Sequence, residues 1–562
     1  MRIPEFRVAP CLLVVAVAFA AWFAAPSCYA QGGEPPYFAI RGARIVPVSG
    51  PPAENVTVII SRGMIAAVSR DAKIPDEAWV IEGKGLTVYP GLIDAFTDVG
   101  LSAPGSANEA TPRKPEPARG PEDRPATTPW RIGADELNLG DKRIETWRNG
   151  GFTTVVSAPK GGFFPGQASV LDLAGEHPGD FVVKYAAAIA LNLHAPGGFG
   201  SGFPDSPMGV LAYVRQVWLD TDWSTRAQAA YEKNSRVERP HYDRTDATLA
   251  AALAQHEVVL IPANSSMEIR RSLELADRWR VSGVIYGGQM GYETAAEIGA
   301  KKLPVLMNAK WPEADKDADP ENKPSLRTLR FRDRAPSAPA ALAKAGVKFA
   351  FYSGGMATPK EVLKAVKKSM DAGLAEDAAL RALTLSPAEI FGVSDRLGSI
   401  EVGKIANLVV TDGDLFEEKT AIKMIFVDGE RFEPREPEKP KEPPKGNISG
   451  RWKLAFTTPD GPEEAIADLE MQKDGTISGT VTGRRGTGTI ISGYASVDKF
   501  SFTINIPVEG NPTDVNFTGS FDATSLKGAL SLTGFSTDFT GTKPGANLVD
   551  TLSSKLETEG KL

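Results

Sequence analysis

Hydrophobic and polar positions divide the chain into stretches of different period. Residues 37–89 alternate as short half-buried strands do, in Phe38-Ala-Ile-Arg-Gly-Ala-Arg-Ile-Val-Pro and Val56-Thr-Val-Ile-Ile, with turns predicted at Ser61-Arg-Gly63 and Glu82-Gly-Lys-Gly85. From about 140 to 395, short apolar runs alternate with helix-like stretches. The runs include Thr153-Thr-Val-Val-Ser, Glu257-Val-Val-Leu-Ile, Gly283-Val-Ile-Tyr, Pro304-Val-Leu-Met and Val347-Lys-Phe-Ala-Phe-Tyr; the helical stretches fall at 208–220, 246–256, 266–280, 292–301 and 359–372. That alternation predicts βα units in a barrel or an open parallel sheet. Strands return at 398–432, and regularly spaced strands with Gly, Asn and Asp turns fill 447–543, a separate all-β module.

The segments between carry no such pattern. Residues 102–130 are rich in Pro, Ala, Gly, Arg and Glu and are expected to form an exposed insertion. Residues 433–446 offer Pro and alternating charge with nothing to bury, a linker, and 544–562 form a polar tail. At the start, Arg2 and Arg7 precede the apolar run Leu12–Ala25, and Cys28-Tyr-Ala30 fits a small-x-small cleavage site. Residues 1–30 are therefore expected to be a signal peptide, with export to the periplasm or the extracellular space. The run is shorter than the roughly 20 residues of a transmembrane helix, and no later segment approaches that length.

Composition narrows the chemistry. The 562 residues hold 63 Lys+Arg against 70 Asp+Glu, a formal charge of −7, which argues against nucleic acid held by bulk charge. There are four His and two Cys, and Cys11 and Cys28 both precede the expected cleavage point. A zinc-finger array, an iron–sulfur protein and a thiol enzyme are thereby excluded. Gly197-Gly-Phe-Gly-Ser-Gly202 lacks the Lys-Ser/Thr of a phosphate cradle and reads as a loop, and no Gly-x-Ser-x-Gly elbow occurs.

Two stretches are more specific. Val88-Tyr-Pro-Gly-Leu-Ile-Asp-Ala95 resembles the segment that ends the N-terminal β-domain of the amidohydrolase superfamily and begins its first barrel strand. Ala382-Leu-Thr-Leu-Ser-Pro-Ala-Glu-Ile-Phe-Gly392, followed by Arg396-Leu-Gly-Ser-Ile-Glu-Val-Gly-Lys-Ile-Ala-Asn-Leu-Val-Val410, resembles its C-terminal return into that domain. The likeness is strongest to imidazolonepropionase-like members. It implies a TIM-like (β/α)8 barrel over 90–394, flanked by a small β-sandwich built from 37–89 and 395–432. It also implies a metal-dependent hydrolase of non-peptide carbon–nitrogen bonds, with ligands at the C-terminal ends of strands. In the last module, Gly450-Arg-Trp452, Phe500-Ser-Phe and Phe517-Thr-Gly-Ser-Phe resemble small up-and-down barrels of the lipocalin or avidin sort.

The family's ligands do not carry over. Its first strand ends in His-x-His, and here those places hold Phe96 and Asp98. Strands five and six should each end in His, but Leu260-Ile-Pro-Ala-Asn264 and Val284-Ile-Tyr-Gly-Gly-Gln289 have none. The acid of strand eight is replaced by glycine in Phe351-Tyr-Ser-Gly-Gly355. A hydrolytic zinc ion needs about three protein ligands, so the metal site is expected to be degenerate and no cofactor is expected, unless zinc or another divalent ion uses a non-standard site. The catalytic candidates left are Asp98 and His194; His177, His241 and His256 read as turn, loop and helix-end residues. Phe96, Asn264, Tyr286, Gln289, Asn308, Lys310, Tyr352 and Ser353 fall at strand ends, where they would line a hydrogen-bonding pocket. Three functions stand side by side: an amidohydrolase with a degenerate site, a non-catalytic protein binding a small molecule, sugar or peptide, and a structural or assembly role in which the barrel is only a scaffold.

Overall fold

The computed structural model describes residues 37–101, 124, 126–194, 204, 206–314, 323–434, 443–458, 461–472, 475–484, 486–508, 511–532 and 535–543. The expected signal peptide, most of the 102–130 insertion, the Gly197–Gly202 loop, most of the linker and the tail lie outside them.

Both flanks of the barrel meet in one sheet. Its order runs Glu430–Phe432, Ile422–Val427, Leu408–Thr411, Thr87–Pro90, Tyr37–Ile45, Ala53–Ser61 and Met64–Ser69, with Trp79–Glu82 added beside Tyr37–Ile45. The junction is the antiparallel pairing of Thr87–Pro90 with Leu408–Thr411, which sets Tyr89 opposite Val409. Alternation places Ile40, Val58, Ile60, Val88, Leu408 and Phe426 in one core.

The second sheet curls into the barrel: Leu92–Thr97, Phe152–Ser157, Gly166–Asp172, Val182–Ala190, Val258–Ala263, Gly283–Gly287, Val305–Asn308 and Phe349–Tyr352. Strands Phe152–Ser157 and Gly166–Asp172 are buried at every position, as strands covered on both faces must be. One departure from the eightfold βα pattern occurs. The third strand runs antiparallel to both neighbours. Residues 158–165 are too few for the dozen or more that a parallel crossover needs, so the chain turns back as a hairpin. Between the last and first strands, the Ser353 backbone N–H donates to Asp94 Oδ1 at 3.0 Å, and Trp147 Nε1 donates to Asp94 Oδ2 at 3.1 Å. Gly91 is required by close approach: a Cβ there would lie 2.0 Å from Thr153 Oγ1.

Two expectations change in detail. The stretch read as an exposed insertion is anchored at its far end, where Arg124 pairs with Asp220, Asp243 and Asp246 at 2.8, 3.0 and 3.4 Å and Thr127 is buried. Ion pairs of this kind leave no apolar period to detect. The helix expected to end near 220 extends over Pro207–Lys233, with Val210, Val214, Val217 and Trp218 on its buried side.

The C-terminal module is a closed barrel of eight strands in chain order, from Gly450–Thr458 to Phe535–Thr542. Its interior is filled. Trp452, Leu454, Phe500, Phe502, Phe517 and Phe539 are buried together, and Trp452 Nε1 donates to the Ile448 carbonyl at 2.7 Å. Among the described residues no helix is long and apolar enough to cross a membrane.

Candidate functional site at the mouth of the large barrel

The C-terminal ends of the strands bring three of the sequence candidates together. The Phe96 ring lies 4.9 Å from that of Tyr286 and 5.8 Å from that of Tyr352, measured between centroids, so strands one, six and eight meet through aromatic contact. Such pairs add about 0.5–1.5 kcal/mol beyond the area they bury. The Tyr286 hydroxyl donates to the Leu191 carbonyl at 2.7 Å, and Asn308 hydrogen-bonds Tyr352. Burial pushes both phenols well above their ordinary range, with Tyr286 and Asp94 adding to the effect on Tyr352, so both stay neutral donors.

The amides around them are mostly committed to backbone. Gln289 Nε2 donates to the Lys310 carbonyl at 2.6 Å, and Asn308 Oδ1 accepts from the Lys310 N–H at 2.9 Å. Asn264 is exposed, with its backbone N–H donating to Glu268 Oε2 at 2.8 Å. Ser353 is buried and tied to Asp94.

Asp98 sits between cations. Arg143 reaches its Oδ1 at 3.1 Å and Lys160 its Oδ2 at 2.7 Å. Burial pushes the Asp98 carboxyl up, but Arg143 and then Lys160 outweigh it and hold it below the ordinary range. Asp141 fixes Arg143 from the other side at 2.8 Å. His194 is exposed, its Nδ1 3.0 Å from Asn192 Oδ1. Asp98 and His194 therefore have separate partners. His177 and His241 are exposed, and His256 adopts a left-handed turn (φ 59°) just past the helix Arg244–Ala254.

The composition of the sequence motif did not single out Asp94. It is buried, and burial raises its pKa to about 6 against the hydrogen bonds from Ser353 and Trp147. The signal was present as a lone carboxylate inside the apolar run of Pro-Gly-Leu-Ile-Asp. Arg143 and Lys160 gave none, since only the fold brings them to Asp98.

Few metal donors stand at the matched strand ends. Phe96 offers no donor, the Asp98 carboxylate is already paired with two cations, and Gly354 sits at φ +61° with a Cβ there only 2.0 Å from Asn308 Oδ1. Among the described residues, no three His, Cys, Asp or Glu side chains group closely enough to hold a metal ion.

Residues 220–436 match the model of the amidohydrolase family. The curated amidohydrolase tasK of Hapsidospora irregularis is 23% identical over 430 residues, covering 66% of this chain; the chain spans 39% of the length of that relative. Among solved structures, an amidohydrolase from Thermotoga maritima superposes with a TM-score of 0.58 at 24% identity, over 70% of this chain and 100% of that one. The fold of the large barrel with its sandwich is thus the amidohydrolase fold.

Proposed function

We propose that this chain is an exported amidohydrolase-superfamily protein, nearest the imidazolonepropionase-like members, that has given up the divalent-metal centre. On this reading the mouth of the barrel binds a small ligand, and metal-dependent hydrolysis of non-peptide carbon–nitrogen bonds, the chemistry that the family implies, is lost. The observation that supports it is the packing at the positions compared with the family's ligands. An aromatic contact of Phe96 with Tyr286 and Tyr352 stands where imidazoles would, and an amide oxygen of Asn308 stands where an acid on strand eight would. One carboxylate already held by Arg143 and Lys160 does not supply the three donors a hydrolytic ion needs. Partly exposed Phe96 and Tyr286 still offer ring faces at the end of a barrel where such folds bind their ligands.

Metal analysis of the purified full chain, paired with turnover of a panel of cyclic and linear amides, tests this. The expected result is metal well below one equivalent and no turnover that a chelator abolishes. An equimolar transition metal with chelator-sensitive hydrolysis would overturn it. A thermal-shift screen of small neutral compounds then tests binding, because a ligand of the native state raises its apparent stability by mass action.

A further inference from the structure

The interior of the C-terminal barrel is packed with buried side chains, and a hollow lies on its outer wall. An open trough of about 770 Å³ crosses the strands Gly486–Ser496, Lys499–Val508, Asn511–Phe521 and Ser525–Leu532. Strand alternation decides its lining. Phe500, Phe502 and Phe517 point inward and are buried, so Lys499, Ser501 and Thr518 point out. The register then sets Lys499 opposite Ser520 and Ser520 opposite Lys527, in one row across three strands. The two lysines are two strand spacings apart, about 10 Å. Beside that row, Tyr494 faces Ser501, which faces Thr518. Small hydroxyl side chains between one aromatic ring and two long cations keep the surface hollow. No carboxylate lines the trough, and neither Lys499 nor Lys527 has an ion-pair partner among the described residues.

We infer that this trough binds an acidic oligosaccharide, independently of what the large barrel does. Two ammonium groups on a chain of formal charge −7 form a local site for carboxylates. Ser501, Thr518 and Ser520 supply both donors and acceptors, the chemistry that matches sugar hydroxyls. Tyr494 gives an apolar ring against which a sugar face can lie. Nucleic acid fits less well: the lining has one outward ring, Tyr494, beside the buried Phe500, and no arginine, whereas single-strand binders stack successive bases and read phosphates with guanidinium forks.

Calorimetric titration of the full chain with oligogalacturonate tests the assignment, with a neutral malto-oligosaccharide of equal length and an oligothymidylate as references. Oligogalacturonate is expected to bind, to weaken as salt rises, and to weaken by up to about tenfold in the K499Q/K527Q double variant. Ser520→Glu, which puts a carboxylate between the two lysines, is expected to abolish binding. An unchanged unfolding transition in both variants separates this from loss of fold. Three outcomes overturn the inference: no binding by the parent protein, undiminished binding by the double variant, or equal affinity for the neutral sugar or for oligothymidylate.

Discussion

Replacing Asp172 by asparagine probes the buried joint between barrel and sandwich. Asp172 ends the third barrel strand, is 2% exposed, and accepts on Oδ1 from the Thr154 hydroxyl at 2.6 Å and from Asn407 Nδ2 at 2.9 Å. Asn407 in turn accepts the Asp428 N–H at 2.7 Å, so one carboxylate oxygen links three parts of the chain. Burial raises the Asp172 pKa from 3.8 to about 7; those two hydrogen bonds pull it back in part, and Asp428 pushes it further. A gap of about 3 units at ~1.4 kcal/mol each makes the ionised form cost about 4 kcal/mol in the folded state. The folded protein keeps this proton in a range where the unfolded chain has lost it. Stability therefore falls as pH rises from about 4, and the cost is complete above about 7. Asparagine keeps an oxygen for both donors and cannot ionise. Asp172→Asn is expected to match the parent or fall slightly below it near pH 4.5, and to exceed it near pH 8 by up to about 4 kcal/mol. Urea unfolding at both pH values, with unchanged m, measures this. If the difference between variant and parent is independent of pH, or if the variant loses more at the higher pH, the buried charge is not the cost inferred here.

Two further substitutions test the close contacts of the first barrel strand. Gly91→Ala drives a methyl group into Thr153 and is expected to cost about 1–3 kcal/mol in unfolding free energy, read from the denaturant midpoint. Lys160→Met removes one cation from Asp98; because that carboxyl is depressed in the folded state, the loss is expected at neutral pH and is small, about 0.5 kcal/mol for a half-exposed lysine. That loss should vanish as pH falls through the folded pKa of Asp98, and a difference that persists in acid would refute the ion-pair account.

Much of the architecture was legible because burial leaves a period. The runs beginning at Thr153, Glu257, Gly283, Pro304 and Val347 all became barrel strands, and the motif at Val88–Ala95 marks the crossing from sandwich to barrel. The hairpin of the third strand was not legible, since residues 166–172 are buried on both faces and nothing in so short a run marks its direction. At the mouth, the residue types named candidates, but not the contacts they make. Phe96 meets Tyr286 and Tyr352 from positions far apart in sequence, and Arg143 and Lys160 reach Asp98 from a helix and a loop with no motif of their own. Asn192, which holds the His194 ring, lies two residues away, yet only geometry distinguishes that local turn from a ligand pair.

The ring of the C-terminal module has a topological corollary. Its strands follow one another in chain order, and the first and last are hydrogen-bonded neighbours, Lys453 opposite Thr542. Both ends of the module thus emerge side by side, so a short peptide can splice them while a new opening is cut at any other hairpin, each ladder surviving intact. A permuted module made in this way has the same wall with its outlet moved, and can be hung from another carrier by whichever rim leaves the trough free.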